Sequence, residues 1–190
     1  KGLEKKYVLL FLLMAFLLSL VIAQEQQYKF QHLTTEDGLP SNYTWSVFQD
    51  SRGFMWFTTR AGLCRYDGYN IKVFQNEDDD TTSISNIYVK STIAEDTNGF
   101  IWVGSMDGLN KYDPVTEQFQ RYYYQNDDSG SINSKYMRCI YVDREGTVWI
   151  GTQGGGLNCY DQKTDRFTKL RLSPDHLYRN TMRGIYEDEA

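Results

Sequence analysis

The stretch "DREGTVWIGT", residues 143–152, reads as a tight turn running into a short apolar strand that carries a tryptophan. The chain writes nearly the same ten residues as "DTNGFIWVGS" at 96–105 and as "DSRGFMWFTT" at 50–59. Aligning Trp56, Trp102 and Trp149 gives spacings of 46 and 47 residues. Asp50, Asp96 and Asp143 then coincide, as do Gly53, Gly99 and Gly146, and Leu63, Leu109 and Leu157. Tyr66-Asp67, Tyr112-Asp113 and Tyr160-Asp161 also align, and Phe74, Phe119 and Phe167 close each unit. A fourth unit opens at "MRGIYED", where Asp188 lies 45 residues after Asp143. A period of this length marks a repeat architecture.

Within a unit the apolar residues alternate with period two, and four short runs are parted by turns, as strands require. In the third unit the runs are about Tyr136–Val142, Thr147–Thr152, Leu157–Asp161 and Arg166–Leu172. "DREG" is a turn in which Gly146 can take a positive φ. The expected fold is all-β: a β-propeller of four-stranded antiparallel blades, with about three and a quarter blades present. The expected divisions are a lead-in at 24–40, blades at 41–84, 85–132 and 133–178, and a truncated fourth at 179–190. Three and a quarter blades cannot close a ring, so we expect the N-terminal fragment of a longer protein.

The repeated Asp-x-x-Gly, and the acidic runs "NEDDD" (76–80) and "NDDSG" (126–130), lack the spaced ligand set of a calcium loop. Turn geometry is the simpler cause, and no metal is expected. The repeated Trp reads as a ring filling the space between blades. Cys64, Cys139 and Cys159 form an odd set without CxxC spacing and read as small buried hydrophobes.

Residues 1–23 differ in kind. A basic opening, "KGLEKK", precedes 17 uncharged residues, Tyr7–Ala23. With Val21-Ile22-Ala23 as a small-residue exit this reads as a secretory signal peptide, the alternative being an uncleaved anchor. From Gln24 onward there are 17 Lys and Arg against 24 Asp and Glu, a net charge of −7. That balance argues against a nucleic-acid partner, which needs a basic footprint.

Nothing catalytic is visible. The two histidines, His32 and His176, lie outside the repeat motifs, and no nucleophile elbow is present. "GGG" at 154–156 lacks the Lys and Ser/Thr of a phosphate cradle. No cofactor is expected.

"LTTEDGLPSNYTWSVFQDSRGFMWFTTRAGLCRYDGY" (33–69) resembles the opening of the two-component regulator propeller family. "ISNIYVKSTIAEDTNGFIWVGSMDGLNKYDP" (84–114) and "GTVWIGTQGGGLNCYD" (146–161) resemble its successive repeats. Two departures fall in the first blade. Thr58 stands where later units have Gly104 and Gly151, and Cys64 stands where they have Asn110 and Asn158. The resemblance implies the periplasmic sensor region of a hybrid histidine kinase, its propeller seven-bladed when complete, homodimeric, with a membrane helix and kinase downstream. It further implies detection of glycan-derived oligosaccharides and control of carbohydrate-utilisation genes. The fragment itself would not be an enzyme. Two other classes remain open: an exported propeller lyase or glycosidase, and a structural or adhesive propeller.

In an antiparallel meander the connections between the second and third strands share one end with those between blades. The turns after the first strand are uniform (DSRG, DTNG, DREG), whereas the connections at the opposite end differ. Variation on a rigid scaffold points to recognition there. The candidate ligand residues are Arg60, Asp107 and Gln153 in the loops. Trp45, Arg138 and Arg183 join them, five residues before the repeated Asp, a place that Ser91 takes in the second blade. Trp45 is expected to stack a sugar, and the charged residues to meet hydroxyls or a uronate carboxylate. These residues could equally line a water-filled channel or meet a partner subunit.

Overall fold

The computed structural model describes residues 2–22 (side chains 4–14), 30–171 and 180–188. The ends of the expected third and fourth blades, together with Ala23 and His176, lie outside the described residues. Residues 1–32 form one compact unit and residues 33–190 a second. The first contains helix α1, Gly2–Ile22, whose apolar side chains from Tyr7 to Met14 are all exposed. Among the described residues no helix is long and apolar enough to cross a membrane.

The second unit holds three four-stranded antiparallel sheets, each a meander in chain order. The first is β1 Thr44–Gln49, β2 Met55–Thr59, β3 Gly62–Tyr66 and β4 Ile71–Phe74. The second is β5 Val89–Glu95, β6 Ile101–Ser105, β7 Gly108–Asp113 and β8 Gln118–Tyr122. The third is β9 Met137–Val142, β10 Val148–Thr152, β11 Leu157–Asp161 and β12 Arg166–Leu170. β9 begins one residue later than the period-two pattern predicts, and the expected end of the last strand at Leu172 lies outside the described residues. The first strands of successive sheets face one another. Thr92 Oγ1 in β5 accepts from Ile140 N in β9 at 2.7 Å and donates to Ile140 O at 3.0 Å. The sheets are propeller blades, with β1, β5 and β9 innermost.

The repeated Asp does two jobs. Asp96 Oδ1 accepts Asn98 N and Phe100 N, which closes the turn, while Oδ2 accepts Trp102 Nε1 at 2.8 Å. Asp50 and Trp56 repeat the arrangement, and so do Asp143 and Trp149. Gly53, Gly99 and Gly146 sit at φ between 81° and 89°, where any side chain is strained. One carboxylate thus ties the turn to the ring that fills the core, a link the turn reading alone misses.

That ring crosses between blades. Trp56 packs edge-on against Tyr112 of the next blade, with ring centres 5.3 Å apart, and Trp102 meets Tyr160 at 4.7 Å. Phe74 and Tyr122, each on the last strand of the same blade, stack on these indoles. Trp56 and Trp102 are fully buried, but Trp149 is only half-buried. The expectation of three equal core rings therefore holds for two. Among the described residues no tyrosine of a fourth blade covers Trp149.

Both departures of the first blade have local causes. A Cβ on Gly104 would lie 2.1 Å from Met137 Cβ, and one on Gly151 would lie 2.6 Å from Met182 Cβ, so a side chain is excluded by the next blade. Thr58 instead faces the Ser91 carbonyl, to which its hydroxyl donates at 3.4 Å. Asn110 Oδ1 accepts Ser85 N and Asn158 Oδ1 accepts Asn133 N, fastening each incoming loop. At the aligned place before the first blade stands Pro40, which has no amide hydrogen to offer, and Cys64 takes the site instead. Burial pushes the Cys64 thiol up to about 12. Cys64 and Cys139 are buried, as expected of small hydrophobes, while Cys159 is half-buried.

The loops between blades are built rather than free. Ile84 and Ile132 are fully buried, and Ser83 and Ser131 each close their loop by bonding back to residues 77 and 125. Arg121, on the last strand of the second blade, grips Ser83 O and Asp80 O at 2.6 Å. In the third blade Lys169 binds Asp128 O and Arg166 binds the Asp128 carboxylate. These long acidic loops, expected to be variable and recognitive, serve as clasps between blades.

Two outcomes follow for stability. Asp96→Ala leaves the buried Trp102 N–H and two turn amides without an acceptor. It should cost about 3 kcal/mol by denaturant titration, since each stranded buried group costs roughly 1–3 kcal/mol. Asp107→Ala, on an exposed loop of the same blade, should stay within about 0.5 kcal/mol. At high pH the buried phenols matter. Burial raises Tyr112 and Tyr160 to about 12. A raised phenol keeps its proton in the folded state, so its contribution is complete below the ordinary tyrosine value of about 10 and is lost as pH rises towards 12. Urea midpoints should be flat from about pH 8 to 10 and fall steeply above that, in step with tyrosinate absorbance.

Candidate functional site

Each innermost strand carries a β-bulge near its start. The register slips between Thr44 and Ser46, between Val89 and Ile93, and between Met137 and Cys139. A bulge turns a side chain out of the alternating pattern and is over-represented beside functional sites. The bulged residues are Trp45 in the first blade and Arg138 in the third. In the second blade the bulge spans Lys90, Ser91 and Thr92. Ser91 is buried, and its hydroxyl accepts Gly104 N at 2.6 Å. Lys90 instead reaches over the Trp45 ring, with Nζ 4.3 Å from the ring centre. Counting back from the repeated Asp selects Ser91, but the extra residue in β5 leaves the half-buried Lys90 to meet the Trp45 ring.

Just before each innermost strand stands a tyrosine: Tyr43, Tyr88 and Tyr136. Tyr43 and Tyr136 are exposed. The Tyr88 and Tyr136 carbonyls accept Met106 N and Gln153 N at 3.0 Å, which positions the neighbouring loops. Arg60 sits between two of the tyrosines. Its guanidinium carbon is 5.3 Å from the Tyr43 ring centre and 5.7 Å from that of Tyr88, and Nε donates to the Tyr88 hydroxyl at 3.2 Å. Tyr43, Arg60 and Tyr88 therefore make one aromatic and cationic group across the first two blades, and Trp45 and Lys90 make a second. Trp45 remains 45% exposed within it.

In the third blade Arg138 Nη2 donates to Gln153 Oε1 at 2.6 Å. Beside the pair is a cavity of about 410 Å³ lined by Tyr124, Tyr136, Gln153 and Arg171, with the Gly154-Gly155 backbone on one side. Asn133 Nδ2 holds Gly155 O at 2.7 Å, and Gly154 N is held by Thr181 Oγ1 at 3.0 Å, so this glycine loop is pinned. A Cβ on Gly155 would fall 2.4 Å from Asn133 Oδ1, which explains the tolerance of glycine alone. Asp107 and Arg183 are exposed on the same end. Among the described residues no hydrogen bond or ion pair joins either of them to the other candidates.

The structure thus joins Arg138 with Gln153 directly, while Trp45 and Arg60 each take part in a separate cation–ring contact. The residues that sequence reasoning missed are the three tyrosines and Lys90. The tyrosines repeat at a fixed place on the variable end, a signal that was readable. Lys90 was not, because only the strand register shows the bulge.

Three segments, residues 38–61, 83–107 and 131–154, match the Two component regulator propeller model. Histidine kinase P4 from Formosa agariphila is 37% identical over 74 residues, which are 39% of this chain and 5% of that protein. The extracellular domain of a hybrid two component system from B. thetaiotaomicron aligns with a TM-score of 0.69 at 29% identity, over 76% of this chain and 20% of that one. A second such domain from the same organism gives 0.66 at 24% identity, over 86% of this chain and 22% of that one, and shares the fold. The chain therefore spans about a fifth of these solved ectodomains. Its blades are built on the Asp–Trp turn repeated through all three matched segments, and the chain carries three repeats that match the two-component regulator propeller model.

Proposed function

We propose that this region is the ligand-sensing propeller of a hybrid two-component receptor, held in the periplasm, which detects a glycan-derived oligosaccharide and controls carbohydrate-utilisation genes. The observation that carries the reading is the set of exposed rings that includes Trp45. Exposed rings at Tyr43, Trp45 and Tyr136 and nearby cationic and amide groups lie on the end of the propeller whose loops differ from blade to blade. Aromatic faces beside hydrogen-bonding groups suit a sugar ring, which presents apolar C–H faces and polar edges. The likeness to extracellular domains of two-component systems supports the sensor half of the reading.

Signalling needs a ligand that binds one receptor arrangement better than another, since equal affinity shifts nothing. A homodimer whose protomers rearrange as the propeller face fills supplies two such states. Arg60, Asp107, Arg138, Gln153 and Arg183 would contact ligand polar groups, and Trp45 would stack.

Calorimetry of the complete ectodomain against a panel of oligosaccharides tests this. One or more members should bind, and Trp45→Ala should weaken that binding about tenfold, the equivalent of about 1.4 kcal/mol. If no oligosaccharide binds, the glycan reading is wrong.

A further inference from the structure

The cations on this face share one arrangement. The ion pairs among the described residues are Arg52–Asp50, Arg65–Glu117, Lys72–Glu117, Arg144–Glu187 and Arg166–Asp128. All involve the uniform turns or the outer strands and loops. Arg60, Lys90 and Arg138 have no carboxylate partner among the described residues. Each is held by a neutral group instead: Arg60 by two tyrosine rings and a phenol, Lys90 by the Trp45 ring, Arg138 by the Gln153 amide. In a chain of net charge −7 beyond residue 23, carboxylates to neutralise them are plentiful. The acids of the first inter-blade loop, Glu77, Asp78 and Asp79, are exposed, but that loop is clasped at the outer strand by Arg121.

The donor inventory sharpens the point. Arginine and lysine only donate hydrogen bonds. Neutral sugar hydroxyls both donate and accept, so a neutral-sugar site wants acceptors too. Gln153 Oε1, the nearest amide acceptor, is already taken by Arg138. A carboxylate or sulfate only accepts, and it gains charge-assisted bonds from such groups. Asp107 is the one acid on the connections between second and third strands.

We infer that the ligand is an anionic oligosaccharide, its carboxylate or sulfate groups received by Arg60, Lys90 and Arg138 while its rings lie on Trp45 and the flanking tyrosines. The inference rests on the oligosaccharide reading above and deepens it. Pinning the cations with rings and an amide orients them before binding and leaves their charge unspent.

The test pairs each charged ligand with an uncharged twin. The complete ectodomain is titrated with a galacturonate tetrasaccharide and its carboxyl-reduced form, and with a sulfated galactan tetrasaccharide and its desulfated form. One charged member should bind at least about tenfold tighter than its twin, with the gap narrowing between ~0.05 and ~0.5 M salt as screening grows. Which pair responds separates carboxylate from sulfate. The triple variant Arg60→Gln, Lys90→Gln, Arg138→Gln should erase that gap while leaving the urea midpoint unchanged. Should the triple variant fold poorly, Arg138→Gln alone should narrow the gap and Arg138→Lys should restore part of it. Equal or tighter binding of the uncharged twin overturns the inference and leaves the oligosaccharide reading standing. A charge preference that survives the triple variant overturns it as well. Absence of binding by all four and by the wider panel overturns both.

Discussion

The hydrogen bond from the tryptophan indole to the turn aspartate is the constraint on which the rest depends. At 2.8 Å in each of the three blades, it fixes a large ring relative to a tight turn. The ring would otherwise carry a buried, unpaired N–H into the core, which is costly. With the donor satisfied, Trp56 and Trp102 can be fully buried and still present an edge to the next blade's tyrosine. One carboxylate therefore sets the turn, the ring and the spacing between sheets together. That is why the motif recurs as a unit rather than as separate Asp, Gly and Trp preferences.

Division of labour between the two ends follows. One end is spent on the Asp turns and on contacts that join blades there. Glu95 accepts Ser51 N and Oγ at 2.7 Å, and Glu187 accepts Arg144 N at 3.1 Å, each from the preceding blade's turn. Val142 stands at the corresponding place between the second and third blades, where no such carboxylate exists, and Thr92 bridges the inner strands instead. The other end is free of this repeated chemistry at its inner strands. There the bulges lift Trp45, Lys90 and Arg138 out of the alternating pattern. Rigid strands behind them and pinned loops beside them give a face that can hold side chains in place before a ligand arrives.

Part of the site was legible in the one-dimensional pattern. Arg138 and Gln153 were marked because they vary where the frame does not, and the structure joins them. The long acidic loops were marked for the same reason, and the structure gives them a second role as clasps between blades. Ser83, Ile84, Ser131 and Ile132 of these loops are buried, and Arg121 and Lys169 of the following blade bind loop carbonyls, contacts far apart in the chain. Variation in composition did not distinguish a loop that binds a ligand from one that binds the neighbouring blade.

The sequence by itself determined the repeat, the four-strand meander, the turn glycines and the family resemblance. Those depend on local propensity and on a period that recurs three times, and both are properties of residues near one another in the chain. The tertiary structure alone decided which residue of the second bulge meets the Trp45 ring, why Cys64 replaces an asparagine opposite Pro40, and which cations lack a carboxylate. Each of these turns on a contact between separate strands or blades. An extra residue in β5 changes register only relative to β6, and an arginine is unpaired only with respect to acids brought near it by folding.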